Sequence, residues 1–299
     1  MAVETELKFA LQDNNKSRFL KHPLLPAETN TKFLTSVYFD TPRMDLKTMG
    51  IGLRIRKKGG QILQTIKADS ALEGGLSTRE EHEVPVPQAA PDASRLGPFQ
   101  ERLEALMGDL QPQFTTSFSR TEWLLTRSGN QLEIVLDEGH VQSDQGTSWP
   151  ILEVEIEKKQ GTLEFLLETG CRLAGSVPLI PEILSKAARG YWVAQGKVFG
   201  SGDFPIALQA QLNPEDIAGV WQNFLVGLAY IRYGREESGW SAMENALGQI
   251  MRNPVPAVHP FLPELTTLSA MVRQHNQEAL LDSTLPGWIT LQIISGGQC

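Results

Sequence analysis

In run after run before Gly196, charged residues occupy every second position. Glu4, Glu6 and Lys8 open the pattern; Arg54 and Arg56, then Arg79, Glu81 and Glu83, then Arg120 and Glu122, then Glu153, Glu155 and Glu157 continue it. Side chains of an extended strand alternate between its two faces, so each run gathers its charges on one face. A helix would scatter the same residues around its axis. This part of the chain must therefore be rich in strands, and its charged faces must all look somewhere.

Two destinations meet that demand. The charged faces can look into water, and a charged edge strand is an ordinary device. If the sheet instead closes into a barrel of about eight strands, the faces line one cavity. Collected by parity, that interior holds Lys8, Arg54, Arg56, Lys67, Arg79 and Arg120 with Glu4, Glu6, Glu81, Glu133, Asp137, Glu153 and Glu155. Side chains alone do not fill so charged a space; it calls for a polyanion and a cation. Arginine presents a rigid fork to phosphate oxygens and lysine a compact charge. Carboxylates suit a hard cation such as Mg2+ or Mn2+, which bridges to substrate phosphates.

Local signals give the order of elements. After the opening strand, residues 14–21 predict a short helix stopped by His22-Pro23. Strands follow over residues 33–39, 53–57, 61–67 and 78–84, with turns at Asp40-Thr41-Pro42, Gly59-Gly60 and Gly74-Gly75. A helix is expected over Gln100 to Met107, strands over 116–125, 131–136 and 151–158, and a second amphipathic helix over Leu163 to Leu173. By alternation Tyr38 and Trp123 fall on the outer or core side.

The opening Glu-x-Glu-x-Lys, the stretch Tyr38-Phe39-Asp40-Thr41-Pro42, Leu46, and Gly50-Ile51-Gly52-Leu53-Arg54-Ile55-Arg56 together resemble the CYTH superfamily, the triphosphate tunnel metalloenzymes. Leu184-Ser185-Lys186-Ala187-Ala188-Arg189-Gly190-Tyr191 resembles the closing motif of its bacterial inorganic triphosphatase branch, in which a helical CHAD domain follows. The resemblance covers residues 1 to about 195 and is weak beyond about 205. It implies an α+β fold: a closed antiparallel β-barrel, the triphosphate tunnel, with flanking helices. It also implies metal-dependent hydrolysis of inorganic triphosphate to pyrophosphate and phosphate. Glu4, Glu6, Glu153 and Glu155 are then the metal residues. Lys8, Arg54, Arg56, Lys67, Arg79, Arg120, Lys186 and Arg189 hold substrate, and Lys8, Arg54, Arg56 and Lys186 carry the catalysis. Adenylate cyclase, thiamine triphosphatase and a non-catalytic polyphosphate-binding module are the alternatives. Asp137-Glu138-Gly139-His140, read as a turn, has a histidine where relatives of this branch often keep an acid, which argues against a metal role there.

Other classes find little support. The formal net charge of -8 does not suit a general nucleic-acid binder, so any anion site is a local concentration of base. The chain has no Gly-x-x-x-x-Gly-Lys-Ser/Thr loop, Cys-x-x-Cys or His-Glu-x-x-His. Cys171 and Cys299 make no disulfide framework; Cys171 reads as a core thiol in a helical pattern, pointing to a reducing cytoplasm. No apolar run is long enough to span a bilayer, and no signal-peptide plan opens the chain.

Gly196 to Pro205 reads as a linker, dividing a domain over 1–196 from a helical, shortened CHAD-like region over 205–299. A helix should start near Asn213-Pro214-Glu215-Asp216, a second cover Ser241 to Met251 and a third run from about Pro263 to Leu281. Since all the charged alternation precedes Gly196, a chain ending near Gln195 is expected to stay active.

Overall fold

A computed structural model describes all residues except 1, 69–71, 198–207, 209–212, 214–215, 235, 253–257 and 298–299. Its strands are β1 (Ala2–Leu11), β2 (Asn30–Asp40), β3 (Ile51–Lys58), β4 (Gln61–Ala68), β5 (Leu72–Glu73), β6 (Leu76–Pro85), β7 (Gln111–Arg127), β8 (Asn130–Ser143), β9 (Ser148–Gln160) and β10 (Leu179–Pro181). Its helices are α1 (Lys16–Leu20), α2 (Asp45–Thr48), α3 (Gln100–Leu103), α4 (Leu163–Ala174), α5 (Lys186–Ala194), α6 (Ile217–Arg232), α7 (Glu236–Arg252), α8 (Leu262–Arg273), α9 (Gln277–Leu281) and α10 (Leu285–Ile294).

The strands pair antiparallel in the order β1-β9-β8-β7-β2-β3-β4-β6, and β6 returns to β1 through Ala2–Glu81 to Leu7–Leu76. The expected barrel is therefore closed, and it leaves no free edge within the ring. β10 adds to the end of β1, and β5 to β6. Alternation sets the two faces of each strand. In β1, Leu7, Phe9 and Leu11 pack outward against α4, while Glu4, Glu6 and Lys8 turn inward. The barrel thus reverses the usual plan: charges inside, apolar side chains outside, and helices covering them.

Among the described residues, three apolar clusters do the covering. One lies under α4 and α10 around Leu7, Phe9, Ile134 and Ile156. A second lies under α2, α3 and their neighbours around Leu46, Leu53, Ile66 and Phe99. The third runs without a break from Phe114, Phe118, Trp149, Tyr191 and Trp192 into Trp221, Phe224, Leu247 and Leu268. The helical region therefore shares one core with the barrel end; most of the expected linker lies outside the described residues.

Several local expectations are corrected. The helix expected over Gln100 to Met107 is one α-helical turn followed by a 3-10 segment, Glu104–Asp109, with Leu103 buried and Leu106 and Met107 only half-buried. The third tail helix is two: the chain breaks where His275 takes a left-handed φ of 50°, and Asn276 caps α9 by accepting from the Ala279 amide at 3.0 Å. α10 was not anticipated. Pro286 is tolerated in a first turn, and Gly287 lies so near the Leu179 carbonyl that a Cβ would come within 2.1 Å of it. The supposed turn at Asp137-Glu138-Gly139-His140 lies within β8. Cys171, expected to be a thiol, is disulfide-bonded. It stands on α4, which packs against α10 near the end of the chain, and Cys299 lies outside the described residues.

Candidate active site

The interior of the barrel is a cavity of about 210 Å³. Glu4, Glu6, Lys8, Arg54, Arg56, Lys67, Arg79, Arg120, Glu155 and Lys186 all reach its wall, from β1, β3, β4, β6, β7, β9 and α5. The charged faces look into one space rather than into water. Glu153 and Arg189 do not line it; they lie beneath its floor, both almost fully buried.

α5 forms that floor. Ser185 caps it by accepting from the Ala188 amide at 3.0 Å, and Lys186 and Arg189, three apart, emerge on the same side. Gly190 permits the approach, since a Cβ there would come within 1.9 Å of the Phe114 ring on β7. Lys186 Nζ lies 2.7 Å from Asp137 Oδ2 and 2.9 Å from Glu155 Oε1, and it also bonds Glu153. Arg120 holds Asp137 with both arms at 2.7 and 2.6 Å and reaches Glu155 at 2.7 Å. Arg189 holds the remaining oxygen of Glu153. Burial opposes the charge on Glu155, but Lys186, Lys8 and Arg120 outweigh it and keep the carboxyl well below its usual range.

A second cluster stands on β1, β4 and β6. Lys67 and Arg79 Nε reach Glu4 at 2.7 and 2.8 Å, Arg79 also bonds Glu6, and Lys8 bridges Glu6 and Glu155 at 3.3 and 3.2 Å. Burial works against ionised Glu4, yet Lys67 and Arg79 hold it down to about 2.

The arginines of β3 are differently placed. Arg56, 7% exposed, donates from Nε to Ser36 Oγ at 2.7 Å and makes no ion pair among the described residues. Burial, with the like charges of Arg54 and Arg120, pushes its guanidinium down to about 9. Arg54 meets a carboxylate only at 3.9 Å, on Glu83, and its Nε is buried without a partner. Burial opposes the charge of Arg54, but Tyr38, Glu81 and Glu83 outweigh it and raise that guanidinium, so of these two adjacent groups facing the cavity it is Arg56 that lacks negative charge.

Sequence reasoning missed several residues here. Tyr38, expected outside, lines the cavity beside Arg54, its cross-strand partner, and stacks on Phe114 at 4.6 Å. Burial would raise its hydroxyl, but Arg54 and Arg56 more than offset that and lower it. Phe33, Leu34, Val37, Tyr38 and Phe39 put apolar groups on both faces of β2, so alternation within that strand does not say which is inner. Trp123 does lie outside, edge-on to Phe19 at 5.8 Å. Glu157 also lines the cavity, directly opposite Glu6 in register, with burial foremost raising its carboxyl to about 7. Asp137, argued away from a metal role, joins Glu153 and Glu155 in a group whose oxygens lie within 4.8 Å of one another. Lys32, Lys58 and Lys159 add base to the cavity wall.

The donors fit a hard divalent ion: every candidate ligand is a carboxylate oxygen. In the floor group, however, Lys186, Arg120 and Arg189 already satisfy the oxygens. Of the expected set, Glu4, Glu6 and Glu155 line the open side and Glu153 does not, while Glu157, which was not expected, stands there opposite Glu6.

The chain is similar to several known proteins. The CYTH domain family profile matches residues 2–191. An inorganic triphosphatase of Haemophilus influenzae is 30% identical over 196 residues, covering 64% of this chain and 55% of that protein. The chain thus spans about half the length of that relative. Among solved structures, a candidate adenylyl cyclase of Hippeastrum with a dominant triphosphatase activity aligns with a TM-score of 0.45 at 23% identity, over 65% of this chain and 97% of that one. A candidate adenylate cyclase of Bacillus halodurans aligns with a TM-score of 0.44 at 20% identity, over 63% and 98%.

Proposed function

This chain belongs to the CYTH domain family, and from that premise we propose that it hydrolyses inorganic triphosphate to pyrophosphate and phosphate within the barrel, with Mg2+ or Mn2+. The observation that carries the reading is the buried Arg56, which faces the cavity with no ion pair among the described residues, beside Arg54. In a cavity where the other buried bases meet carboxylates, Arg56 meets none among the described residues, and Arg54 beside it on β3 has a single long contact, 3.9 Å to Glu83. A phosphate chain supplies what Arg56 lacks, and guanidinium forks match its oxygens two at a time.

Phosphoryl transfer asks mainly for positioning and charge neutralisation. Arg54 and Arg56 hold one end of the substrate in this reading. Lys8, Lys67 and Arg120, each now engaged with a carboxylate, exchange part of that contact for phosphate oxygens. Lys186 approaches from the floor, while Arg189 acts from below by fixing Glu153. Glu4, Glu6 and Glu155 would hold the metal, with Glu157 added by register and Glu153 more remote. Such an ion neutralises charge on the phosphate chain when bound.

Phosphate release should be measured over inorganic triphosphate, ATP and thiamine triphosphate, with and without Mg2+ or Mn2+. The expected result is metal-dependent release from inorganic triphosphate, with Glu6→Gln folded and nearly inactive. A folded wild type that binds triphosphate but releases nothing would favour the binding-module alternative instead. A fully active Glu6→Gln would remove that residue from the metal set.

A further inference from the structure

Outside the cavity, Asp40 is a fully buried carboxylate held by the amides of Thr41, Leu46 and Lys47 close to it in the chain, whereas a second one, Glu182, takes its donors from distant elements. Glu182 follows β10, and its side chain is 1% exposed. One oxygen accepts from the Leu184 amide at 2.9 Å; the other accepts from Arg232 Nη1 at 2.9 Å and from the Tyr233 hydroxyl at 2.5 Å. Its own amide donates to the Lys8 carbonyl at 3.0 Å. Glu182 therefore ties three things together: the end of α6, the backbone of Lys8 in β1, and the turn that delivers Ser185 to the start of α5.

That turn decides where the floor sits. Leu184 immediately precedes Ser185, and the next residue is Lys186, whose ammonium meets three carboxylates. A second contact runs in parallel: the Tyr233 ring packs edge-on to Trp149 at 4.8 Å, and Trp149 packs against Trp192 of α5 at 4.8 Å. Arg232 and Tyr233 come from the helical region, yet neither touches the cavity. We infer that Arg232 and Tyr233 are positioning residues: through Glu182 they fix the start of α5, and with it the placement of Lys186 and Arg189 at the cavity floor.

The chemistry gives the contact its leverage. A buried carboxylate deprived of a donor must find another or accept a proton, and either outcome loosens its grip on the Leu184 amide. Small displacements of an orienting group are costly where geometry carries the rate. Tyr233→Phe is the clean probe, because it keeps the ring on Trp149 and removes only the hydroxyl; Arg232→Met is the stronger one.

Two measurements test this in the full chain. The first is amide hydrogen exchange over residues 183–194, which needs no substrate. In Tyr233→Phe it should quicken there by about tenfold, with β7 and β8 unchanged. Unchanged exchange over α5 would overturn the inference. The second rests on the triphosphatase reading and is a cycle with Lys186→Met. Tyr233→Phe alone should lower kcat/KM by about tenfold, but add little once Lys186 is gone, because both changes act on the same contact. Fully additive losses would mean a general packing role and would also overturn it. A wild type without triphosphatase activity would sink the preceding proposal alone, leaving the exchange experiment to decide this one.

Discussion

Lys186 Nζ lies 2.7 Å from Asp137 Oδ2, with its ammonium seated among the carboxylates of Asp137, Glu153 and Glu155. An internal cation thus occupies the centre of the most compact acid group among the described residues. Burial opposes the charge of Lys186, but the three acids outweigh that and raise it above an ordinary lysine. Glu155 is displaced the opposite way, as mutual stabilisation requires.

Lys186→Met should therefore be destabilising in the presence of a chelator, by about 3–5 kcal/mol, because it leaves buried carboxylates without their shared cation. Mg2+ should restore part of the loss by taking the place of the ammonium, so that melting becomes metal-dependent. Melting curves with EDTA and with Mg2+ would check this. A variant that melts like wild type in EDTA would show that the ammonium contributes nothing net to stability.

Arg56→Lys keeps a charge but gives up the fork and the bond from Nε to Ser36. We expect kcat/KM for inorganic triphosphate to fall by about ten- to a hundredfold, roughly 1.4–2.8 kcal/mol of transition-state stabilisation. Steady-state kinetics decide the matter, and unchanged values would remove the arginine pair from the substrate site.

The shared core reverses the expectation that a chain ending near Gln195 would remain active. Such a truncation strips Trp221, Phe224 and Leu228 from the cluster that contains Trp149, Tyr191 and Trp192. It also removes Arg232 and Tyr233 from Glu182. Loss of a buried apolar side chain's cover costs about 1.5–3 kcal/mol each time, so the truncated protein should aggregate or unfold. Recovery of a soluble, cooperative and active fragment by size-exclusion chromatography and assay would contradict this.

Inorganic triphosphate should be preferred to ATP by more than about tenfold in kcat/KM, or about 1.4 kcal/mol. The aromatic side chains that do reach the cavity are already engaged: Tyr38 stacks on Phe114, and Phe118 lies under Arg56, Arg120 and Lys186. The cavity, about 210 Å³, is also smaller than sites that enclose drug-sized ligands. Equal turnover of ATP, with cyclic AMP and pyrophosphate as products, would promote the cyclase reading instead.

The sequence by itself determined that strands carry charge on one face. Glu4-Glu6-Lys8, Arg54-Arg56 and Glu153-Glu155-Glu157 needed only the two-residue period of an extended chain, which is a local property. It also carried the motif order that marks the family. Tertiary structure decided what those faces meet. Register placed Glu157 opposite Glu6 and Tyr38 beside Arg54, and no period within β2 or β9 contains that information, because register depends on the neighbouring strand. Closure of β6 onto β1 turned separate charged faces into one cavity. Folding of α5 under the barrel brought Lys186 to Asp137, 49 positions earlier in the chain, and let α6 reach Glu182. Charge pairing acts through space over a few ångströms, so the partners of each acid were settled only when the barrel closed and its floor was packed in place.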